Sequence, residues 1–511
     1  MTLEEILAMP EVERKIYYLK KGRKTELPNA HALYNDWNPN KHEIVIDEEK
    51  YPKIKITTQP EKRITDPTTG KEYVEPAVKK EVDPNRIALP LEQDIVNIQT
   101  AFTVGTEPVL DCQPDQSEES LLSALKQVFK KNKLKYQNKK VVRSWLAEQE
   151  VAEYWYVVKD DGFWAKLKRK ISGIFGKSKP EYRLKSAIWS PFRGDKLYPF
   201  FNDNGDLVAL SREYKKKDLD DVEITCFMTI TKDMVYQWEL TSNWTDKGSF
   251  AHGFKKMPVI YMYRPEAYCE KIKSLRIRLE KLLSNYADCI DYHFFPILML
   301  YGDVQQLSGE FKNRVVQLLG NNANAQYLTW NQASETVKYE AETLFSQIYS
   351  LTNTPRISFD SLKGAGSAVS GVAFDYVFMS THLNVENLNE TVGEFMQRRV
   401  NFLVSALGSV NTSLEQASET IDVDVQMQPY RLEDIKEKID TAIKAKNGEI
   451  WSQERAITFV GNIDSALEEI EAIKEEQAEK QKSEIDKQKQ LSEINSKSDK
   501  SEKLRELYRT E

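Results

Sequence analysis

The sequence predicts an α+β protein that is mainly helical and has more than one domain. Its 511 residues exceed the usual size of a single hydrophobic core. Apolar residues at three- and four-residue steps indicate several long helices, and a central stretch rich in β-branched and aromatic residues indicates strands. With 40% hydrophobic and 30% charged residues, the composition is typical of a folded protein with a heavily charged surface.

Charge and cysteine content narrow the class of protein. A formal net charge of −7 argues against tight nucleic-acid binding, which usually relies on clustered basic surface, although a loosely held DNA partner remains compatible. The four cysteines are scattered and form no CxxC pair, which favours a reducing compartment over disulfides or a metal site. The N-terminus has no signal-peptide pattern and the most apolar stretch, 294–301, is too short for a bilayer span, so we expect a soluble protein.

The first half of the chain predicts an arm, a helical segment and a strand-rich block. Residues 1–89 are polar and predict a partly irregular N-terminal arm with short strands, for example at His42–Ile46. Helices are predicted at 90–103, near 117–131 and near 137–150. From 151 to 263 the pattern predicts strands, among them Tyr154–Val158 and Glu223–Thr231.

A helix predicted from about 266 to 292 carries a narrow apolar seam. The seam residues repeat at alternating three- and four-residue steps: Ile272, Leu275, Leu279, Leu282, Tyr286 and Cys289. Lys273, Arg278 and Lys281 point away from the seam. The pattern is typical of a core helix with a solvated outer face, and it is also compatible with two helices packed side by side.

The next segment predicts a small α/β module between two helices. A strand at Ile297–Leu300 is followed by a short helix near 304–319, a loop at Asn321–Asn324 and a strand at Gln326–Trp330. A second helix is predicted from about 334 to 351.

An exposed loop and a long helix come next. Pro355, Gly364 and Gly366 predict a loop over 353–370, and the helix that follows runs from about 371 to 407, roughly 55 Å at 1.5 Å per residue. Gly393 marks an expected kink, and Gly408 an expected C-terminal cap.

The C-terminal part predicts one strand, short helices and a charged tail. Alternation over Ile421–Met427 predicts a half-buried strand. Helices are expected at 431–446, after Ser452 and after Asp464. The remaining residues, 476–511, are charged and predict disorder or a fraying helix.

Motifs for chemistry are incomplete. Gly173–Ser178 ends like a phosphate-binding loop, but the glycine required five positions before the Gly-Lys pair is Ile171. The histidines have no metal spacing and no nucleophile elbow occurs. The basic, aromatic segment 163–179 is compatible with a solvated loop or with an anchor for phosphate or membrane surfaces. We therefore expect no enzyme activity, no metal and no cofactor.

Five short motifs, in a shared order, resemble the portal proteins of tailed bacteriophages of the siphophage type. They cover roughly residues 90–470: Phe102–Val109, Lys256–Ile260, Leu283–Asp288, Leu298–Gly302 and the segment Ser370, Gly371, Val372 and Ala373. The family often has Leu-Lys after this last segment, where this chain has Phe374 and Asp375, so lysine contacts there are not carried over.

The resemblance implies a portal fold with wing, stem, clip and crown regions in a ring of twelve subunits. The expected regions are wing at 90–264 and 371–428, stem helices at 265–295 and 334–352, clip at 296–333, tunnel loop at 353–370, and crown at 429–475. The ring would be a structural conduit for viral DNA at one capsid vertex. Its expected partners are double-stranded DNA held weakly, the terminase large subunit, the major capsid and scaffolding proteins, and head-completion or adaptor proteins, without stable membrane association.

Candidate site residues follow from these regions. The tunnel-loop tip near DNA would comprise Lys363, Gly364, Gly366 and Ser367, and the weak stem contacts would come from Lys273, Arg278 and Lys281. The clip residues expected to face the motor and adaptors are Lys312, Arg314, Asn322 and Asn324. Two alternatives remain: a nucleic-acid-processing enzyme, which requires a complete nucleotide or metal site, and a peripheral membrane or nucleic-acid-binding scaffold protein that uses 163–179.

Overall fold

The computed structural model describes most of the chain. The described residues are 1–59, 61–65, 70, 72–159, 182–217, 220–293, 297–307, 316–328, 334–356, 378–428, 430, 435–461, 469–485 and 487. They belong to two compact units, one formed by 1–362 with 377–430 and the other by 363–376 with 431–511.

Helices dominate both units. They are α1 (Leu3–Leu7), α2 (Val12–Lys21), α3 (Ala30–Trp37), α4 (Glu43–Ile46), α5 (Leu91–Val104), α6 (Glu119–Asn132), α7 (Leu134–Glu148), α8 (Lys273–His293), α9 (Ser334–Leu351), α10 (Met379–Val410), α11 (Glu415–Thr420), α12 (Ile435–Asn447) and α13 (Gln453–Val460). Residues 469–485 are also helical.

Strands form several antiparallel sheets. They are β1 (Ile54–Gln59), β2 (Lys62–Thr65), β3 (Glu72–Glu75), β4 (Val78–Val82), β5 (Val109–Asp111), β6 (Glu150–Lys159), β7 (Tyr182–Trp189), β8 (Lys196–Phe201), β9 (Leu207–Lys217), β10 (Glu223–Thr231), β11 (Met234–Leu240), β12 (Trp244–Ala251), β13 (Val259–Tyr263), β14 (Ile297–Leu307), β15 (Val316–Leu328) and β16 (Asp424–Gln426). A five-stranded sheet has the order β12-β11-β10-β9-β8, and a three-stranded sheet the order β13-β6-β7. Pairs β1-β4, β2-β3, β14-β15 and β16-β5 complete the set.

Three hydrophobic clusters organise the larger unit. The main core packs α5, α7, α8, α9 and α10 around Trp155 of β6, whose side chain is fully buried. A second cluster lies between the two larger sheets and includes Leu210 and Ile230. A third joins α1 and α2 to the five-stranded sheet through Leu19 and Phe227. Burial of such side chains contributes on the order of 2 kcal/mol each, which holds helices and sheets in one unit.

The smaller unit contains α12, α13 and the helical segment 469–485. Ser452 caps α13, since its side chain accepts a hydrogen bond from the backbone N–H of Arg455. Ile443 of α12 and Ile457 of α13 line one apolar groove within the unit, together with Ile473.

Most sequence predictions of element type are confirmed. The mainly helical α+β class, the three helices α5 to α7, strands β6 and β10, and helix α9 all lie close to their predicted bounds. The helix predicted after Ser452 is α13.

Three predictions are wrong, and a fourth, the strand over 421–427, is right in type but not in length. Glu43–Ile46 is a turn of helix, not a strand, because Ile44 alone faces the core and the pattern is too short to define a period. Gly408 lies inside α10, where its missing side chain leaves room for Ser418 of α11. The strand predicted over 421–427 is only three residues long, limited by the short partner β5. Residues 304–307 and 316–319 of the predicted helix, and the loop predicted after it, belong to the paired strands β14 and β15, while 308–315 lie outside the described residues.

Candidate functional site

Helices α8 and α9 form an antiparallel pair. Leu279 of α8 and Ile348 of α9 are fully buried in the main core. The Tyr268 hydroxyl, just before α8, donates a hydrogen bond to the Thr352 carbonyl just after α9 (2.6 Å), and Arg278 meets Glu340 farther along (Nη2–Oε1 2.7 Å). These contacts fix both the direction and the register of the two helices.

The part of the apolar seam predicted for α8 from Ile272 to Leu282 faces the core as expected. Ile272 and Leu279 are fully buried, and Leu275 and Leu282 are half-buried against the main cluster. The seam therefore packs α8 into the larger unit, where it meets both α9 and the helices around β6.

A β-hairpin lies between the two helices in the chain. Strands β14 and β15 pair antiparallel from Ile297 opposite Leu328 to Leu307 opposite Val316. Asn324 is opposite Tyr301, and Asn322 also lies within β15, so the two predicted loop asparagines are strand residues. Cross-strand pairing overrides the weak helical pattern of this short segment.

Other predicted residues lie outside the described residues. These are Lys312, Arg314, Lys363, Gly364, Gly366, Ser367, Ser370, Gly371, Val372 and Ala373, together with the basic segment 163–179.

The predicted stem cations differ in their surroundings. Lys273 is half-buried and forms an ion pair with Asp36 of α3 (Nζ–Oδ2 2.6 Å). Arg278 is exposed and pairs with Glu340. Lys281 is exposed. All three point away from the buried seam, as predicted.

A buried arginine on α8, missed by the sequence analysis, holds three carboxylates. Arg276 is 1% exposed and pairs with Asp36 (Nη2–Oδ1 2.8 Å), Glu92 (Nε–Oε1 2.5 Å) and Glu280 (Nη1–Oε2 3.3 Å). These carboxylates belong to α3, α5 and α8. Burial raises the pKa of Glu92 to about 7, although the nearby Arg276 charge acts in the opposite direction.

His42 extends this cluster to the N-terminal arm. Its Nδ1 lies 2.6 Å from Glu280 Oε1, and its Nε2 lies 2.9 Å from the Asp36 carbonyl oxygen. Because the carbonyl can only accept, Nε2 carries a hydrogen, and Nδ1 and Glu280 share a second one. The arm is thus joined to α8 by charge and hydrogen bonds.

A polar stripe on α8 binds the chain just before α5. Backbone N–H groups donate to α8 side chains: Asn85 to Asp288 (2.7 Å), Ile87 to Ser284 (2.9 Å) and Leu89 to Glu280 (2.8 Å). The acceptors recur every four residues on one helix face. This spacing is the sequence signal that could have indicated the contact.

A buried polar cluster joins the end of α9 to the start of α10. The Gln99 amide of α5 donates to the carbonyls of Thr352 and Asn353 (both 3.1 Å). From α10, Thr381 donates to the Asn353 carbonyl (2.8 Å), and Asn384 donates to Gln99 Oε1 (2.9 Å). The two elements that flank 357–377 are therefore held at one place in the core.

The described parts of the chain show neither a metal site nor a membrane-spanning helix. They contain no group of three or more metal-ligating side chains that could hold an ion. Each helix there is too short or too polar to cross a membrane.

Within the larger unit, the buried contacts of Arg276 and Gln99 join helices that are far apart in the chain. The family model described as "Phage portal protein, SPP1 Gp6-like" matches residues 18–483, so the chain belongs to this family of phage portal proteins. It is a structural portal subunit of the capsid vertex, in the virion. The resemblance found in the sequence is thereby confirmed.

Solved structures similar to the chain come from gene transfer agent particles. One is the neck of an empty particle, with 11% identity, a TM-score of 0.39 and coverage of 73% of this chain and 90% of that one. Another is the virion of a native particle, with 10% identity, a TM-score of 0.35 and coverage of 73% and 89%. No curated protein sequence matches the chain.

Proposed function

We propose that copies of this chain form a ring whose central channel is lined by α8 and α9 and conducts viral DNA during packaging and ejection. The observation that carries this proposal is the antiparallel pair α8/α9, fixed in register by Tyr268–Thr352 and Arg278–Glu340 and connected through the hairpin β14–β15. A helix pair anchored along one side to a core suits side-by-side packing of identical neighbours around an axis. Twelve copies are the number that the family resemblance implies.

The hairpin is the proposed clip. A two-stranded element beyond the ends of the helix pair can be contacted without disturbing the core that holds the pair. We propose that it docks the terminase large subunit during packaging and head-completion or adaptor proteins afterwards. Lys312, Arg314, Asn322 and Asn324 remain its candidate contact residues. Capsid and scaffolding proteins are proposed partners of the wing.

Charge in the stem supports weak contact with DNA. Lys273 and Arg278 each have a carboxylate partner, whereas Lys281 is exposed. A conduit has to release its cargo, and each neutralised phosphate adds salt-sensitive affinity that opposes sliding. We therefore assign transient phosphate contact in the stem to Lys281 first.

The tunnel loop is proposed to lie between α9 and α10. Gln99 and Asn384 hold the two flanking elements together, which gives such a loop fixed ends. Lys363, Gly364, Gly366 and Ser367 remain the proposed residues near DNA. The glycines would allow the backbone to change conformation as DNA passes.

The ring and the loop need separate experiments. Negative-stain microscopy of the purified protein should show rings with a central channel; a stable monomer at micromolar concentration would contradict the proposal. Replacing Gly364 and Gly366 by proline should block DNA packaging in vivo while rings still form, because proline fixes the backbone that the loop must move. The matched control replaces the same glycines by alanine and should package. Normal DNA filling in the proline variant would remove the loop from the mechanism.

A further inference from the structure

A strongly basic surface lies on α6 and α7, which are not part of the α8/α9 pair proposed to line the channel. Between Glu119 and Glu148 the chain carries eight basic residues and no acidic one, so the remainder of the chain has a formal charge of −15. We call residues 126–143 the basic elbow. Its cations are Lys126, Lys130, Lys131, Lys133, Lys135, Lys139, Lys140 and Arg143.

The elbow is a rigid turn. A single residue, Lys133, separates α6 from α7, in a left-handed conformation (φ 53°) that favours glycine. Its N–H caps α6 by donating to the carbonyls of Phe129 and Lys130. Asn132 donates to the Leu184 carbonyl of β7 (3.1 Å), which ties the turn to the three-stranded sheet.

The apolar faces of both helices are buried, which leaves the lysines outside. Leu125 and Leu134 belong to the main core and are at most 1% exposed. Six of the eight cations are exposed, and Lys139 and Arg143 are half-buried. The charge is therefore held in place by core packing rather than carried on a loose segment.

These cations have no carboxylate partner in the part of the chain that the structure describes. Among the described residues, none of the eight forms an ion pair, and Arg143 donates to an amide, Asn97 Oδ1 (2.8 Å). The five-stranded sheet is different: Lys215, Lys216 and Lys217 of β9 pair with Glu223, Glu239 and Asp221. Like charges held close together repel one another, which destabilises the folded protein, and a bound polyanion relieves this repulsion.

Two grooves run along the elbow and share one ridge. The ridge is formed by Lys133 and Tyr136, whose ring is 61% exposed. Lys126, Lys130 and Lys135 line the groove on one side, where Glu107 is the carboxylate. Lys140 and Arg193 line the groove on the other side. Each groove thus presents several cations next to an aromatic ring.

We propose that the basic elbow binds the phosphate backbone of double-stranded DNA without reading its sequence, at a site separate from the channel. Lys126 and Lys130 are about 6 Å apart along α6, an interval over which one DNA strand presents about two phosphates. An acidic segment of another copy fits less well: helical residues 469–485 carry Lys474, Lys480 and Lys482 among their glutamates. Uniform positive charge matches the uniform negative charge of DNA.

Closed circular DNA tests this site apart from the channel, because a minicircle cannot thread a preformed ring. The full-length protein is titrated onto a fluorescent minicircle at 50 to 200 mM salt. The elbow variant replaces Lys130, Lys133 and Lys135 by glutamine; the control replaces the paired Lys215, Lys216 and Lys217 by glutamine, with the same change in net charge. Thermal melting checks that both variants fold.

The wild type and the control should lose affinity steeply with salt. Each phosphate contact contributes about −0.9 to the slope of log K against log salt, so three lost contacts reduce the slope by about 2.7. Between 50 and 200 mM salt the wild type should therefore lose about 40-fold more affinity than the elbow variant.

Three results would overturn the assignment. They are equal salt slopes in the wild type and the elbow variant, no minicircle binding by the wild type at 50 mM salt, and competition by polyglutamate as strong as by DNA at equal charge. Ring formation is scored separately by microscopy, so a failure of the proposed channel and a failure of the elbow remain distinguishable.

Discussion

Replacing Arg276 by methionine tests whether the buried charge cluster holds the N-terminal arm against α8. Methionine keeps most of the side-chain volume but removes the guanidinium that contacts Asp36, Glu92 and Glu280. Three carboxylates would then share a largely buried site with Lys273 and His42. Breaking a buried pair by removing one partner typically costs about 3–5 kcal/mol, because the remaining charge is left uncompensated.

Glu92 determines how this cost varies with pH. Its pKa of about 7 in the fold is above its ordinary value of 4.5, mainly through burial. As pH falls through 7 the folded protein binds a proton that the unfolded chain binds only near 4.5, so this group makes the fold more stable at lower pH. The effect is on the order of 2–3 kcal/mol between pH 8 and pH 4.5. Because the Arg276 charge lowers this pKa, Arg276→Met should raise it further, and the variant should be less destabilised at pH 5.5, where Glu92 is protonated in both proteins, than at pH 8.

Two matched variants isolate the effect. Arg278→Met removes an arginine from the same helix, but its partner Glu340 is at the surface and the expected cost is below about 1 kcal/mol. Glu92→Gln should flatten the part of the pH dependence that comes from Glu92, since the amide does not titrate.

Urea unfolding followed by near-UV circular dichroism measures the free energies, and hydrogen exchange reports on residues 30–46. Arg276→Met should speed exchange in α3 and α4 first, because Asp36 and His42 connect these helices to α8. If Arg276→Met costs no more than Arg278→Met at pH 8, and exchange in α3 is unchanged, the cluster does not anchor the arm.

Two other substitutions test contacts that the long helix α10 makes with β6 and with α11. Arg399→Met should lower the free energy of unfolding in urea by about 3–5 kcal/mol, because the buried guanidinium binds both oxygens of Glu153. The control is Arg398→Met at the exposed neighbouring residue, which should change the free energy of unfolding by less than about 0.5 kcal/mol. Gly408→Ala should lower the free energy of unfolding by about 1–3 kcal/mol, because an added Cβ would lie 2.1 Å from Ser418 Oγ. A second substitution, Ser418→Gly, in the same chain should restore the melting temperature. If Gly408→Ala alone is as stable as the wild type, α11 shifts freely to make room.

Periodic apolar patterns made much of the fold predictable. The seam of α8 and the pattern of α9 are long enough to define a period. Helix α9 was predicted close to its bounds, whereas α8 begins at Lys273, seven residues after its predicted start. Strand β10 was predicted with the same bounds, since its β-branched and aromatic run is bordered by turns. The family resemblance depended on the order of these elements more than on any single motif.

Short segments were predicted less well because their local sequence patterns are compatible with both helix and strand. Residues 304–307 and 316–319 have apolar spacing compatible with helix or strand, and pairing between β14 and β15 decides for strand. At His42–Ile46 only His42 and Ile44 are buried, and five residues are too few to define a period. Gly408 looked like a helix end, but contact with Ser418 requires its small size inside α10.

By itself the sequence determined the α+β class, the order of helix, intervening module, helix and long helix, and through that order the portal family, because these depend on local periodicity. It could not show which charges are buried. Arg276 and Arg278 lie two positions apart in one helix, yet one holds three carboxylates in the core and the other meets Glu340 at the surface. Only the tertiary structure decides which arginine is buried, since two of the carboxylates that bind Arg276 come from helices far away in the chain. The loss of water around these charges, which makes the ion pairs costly to break, occurs only when those helices pack together.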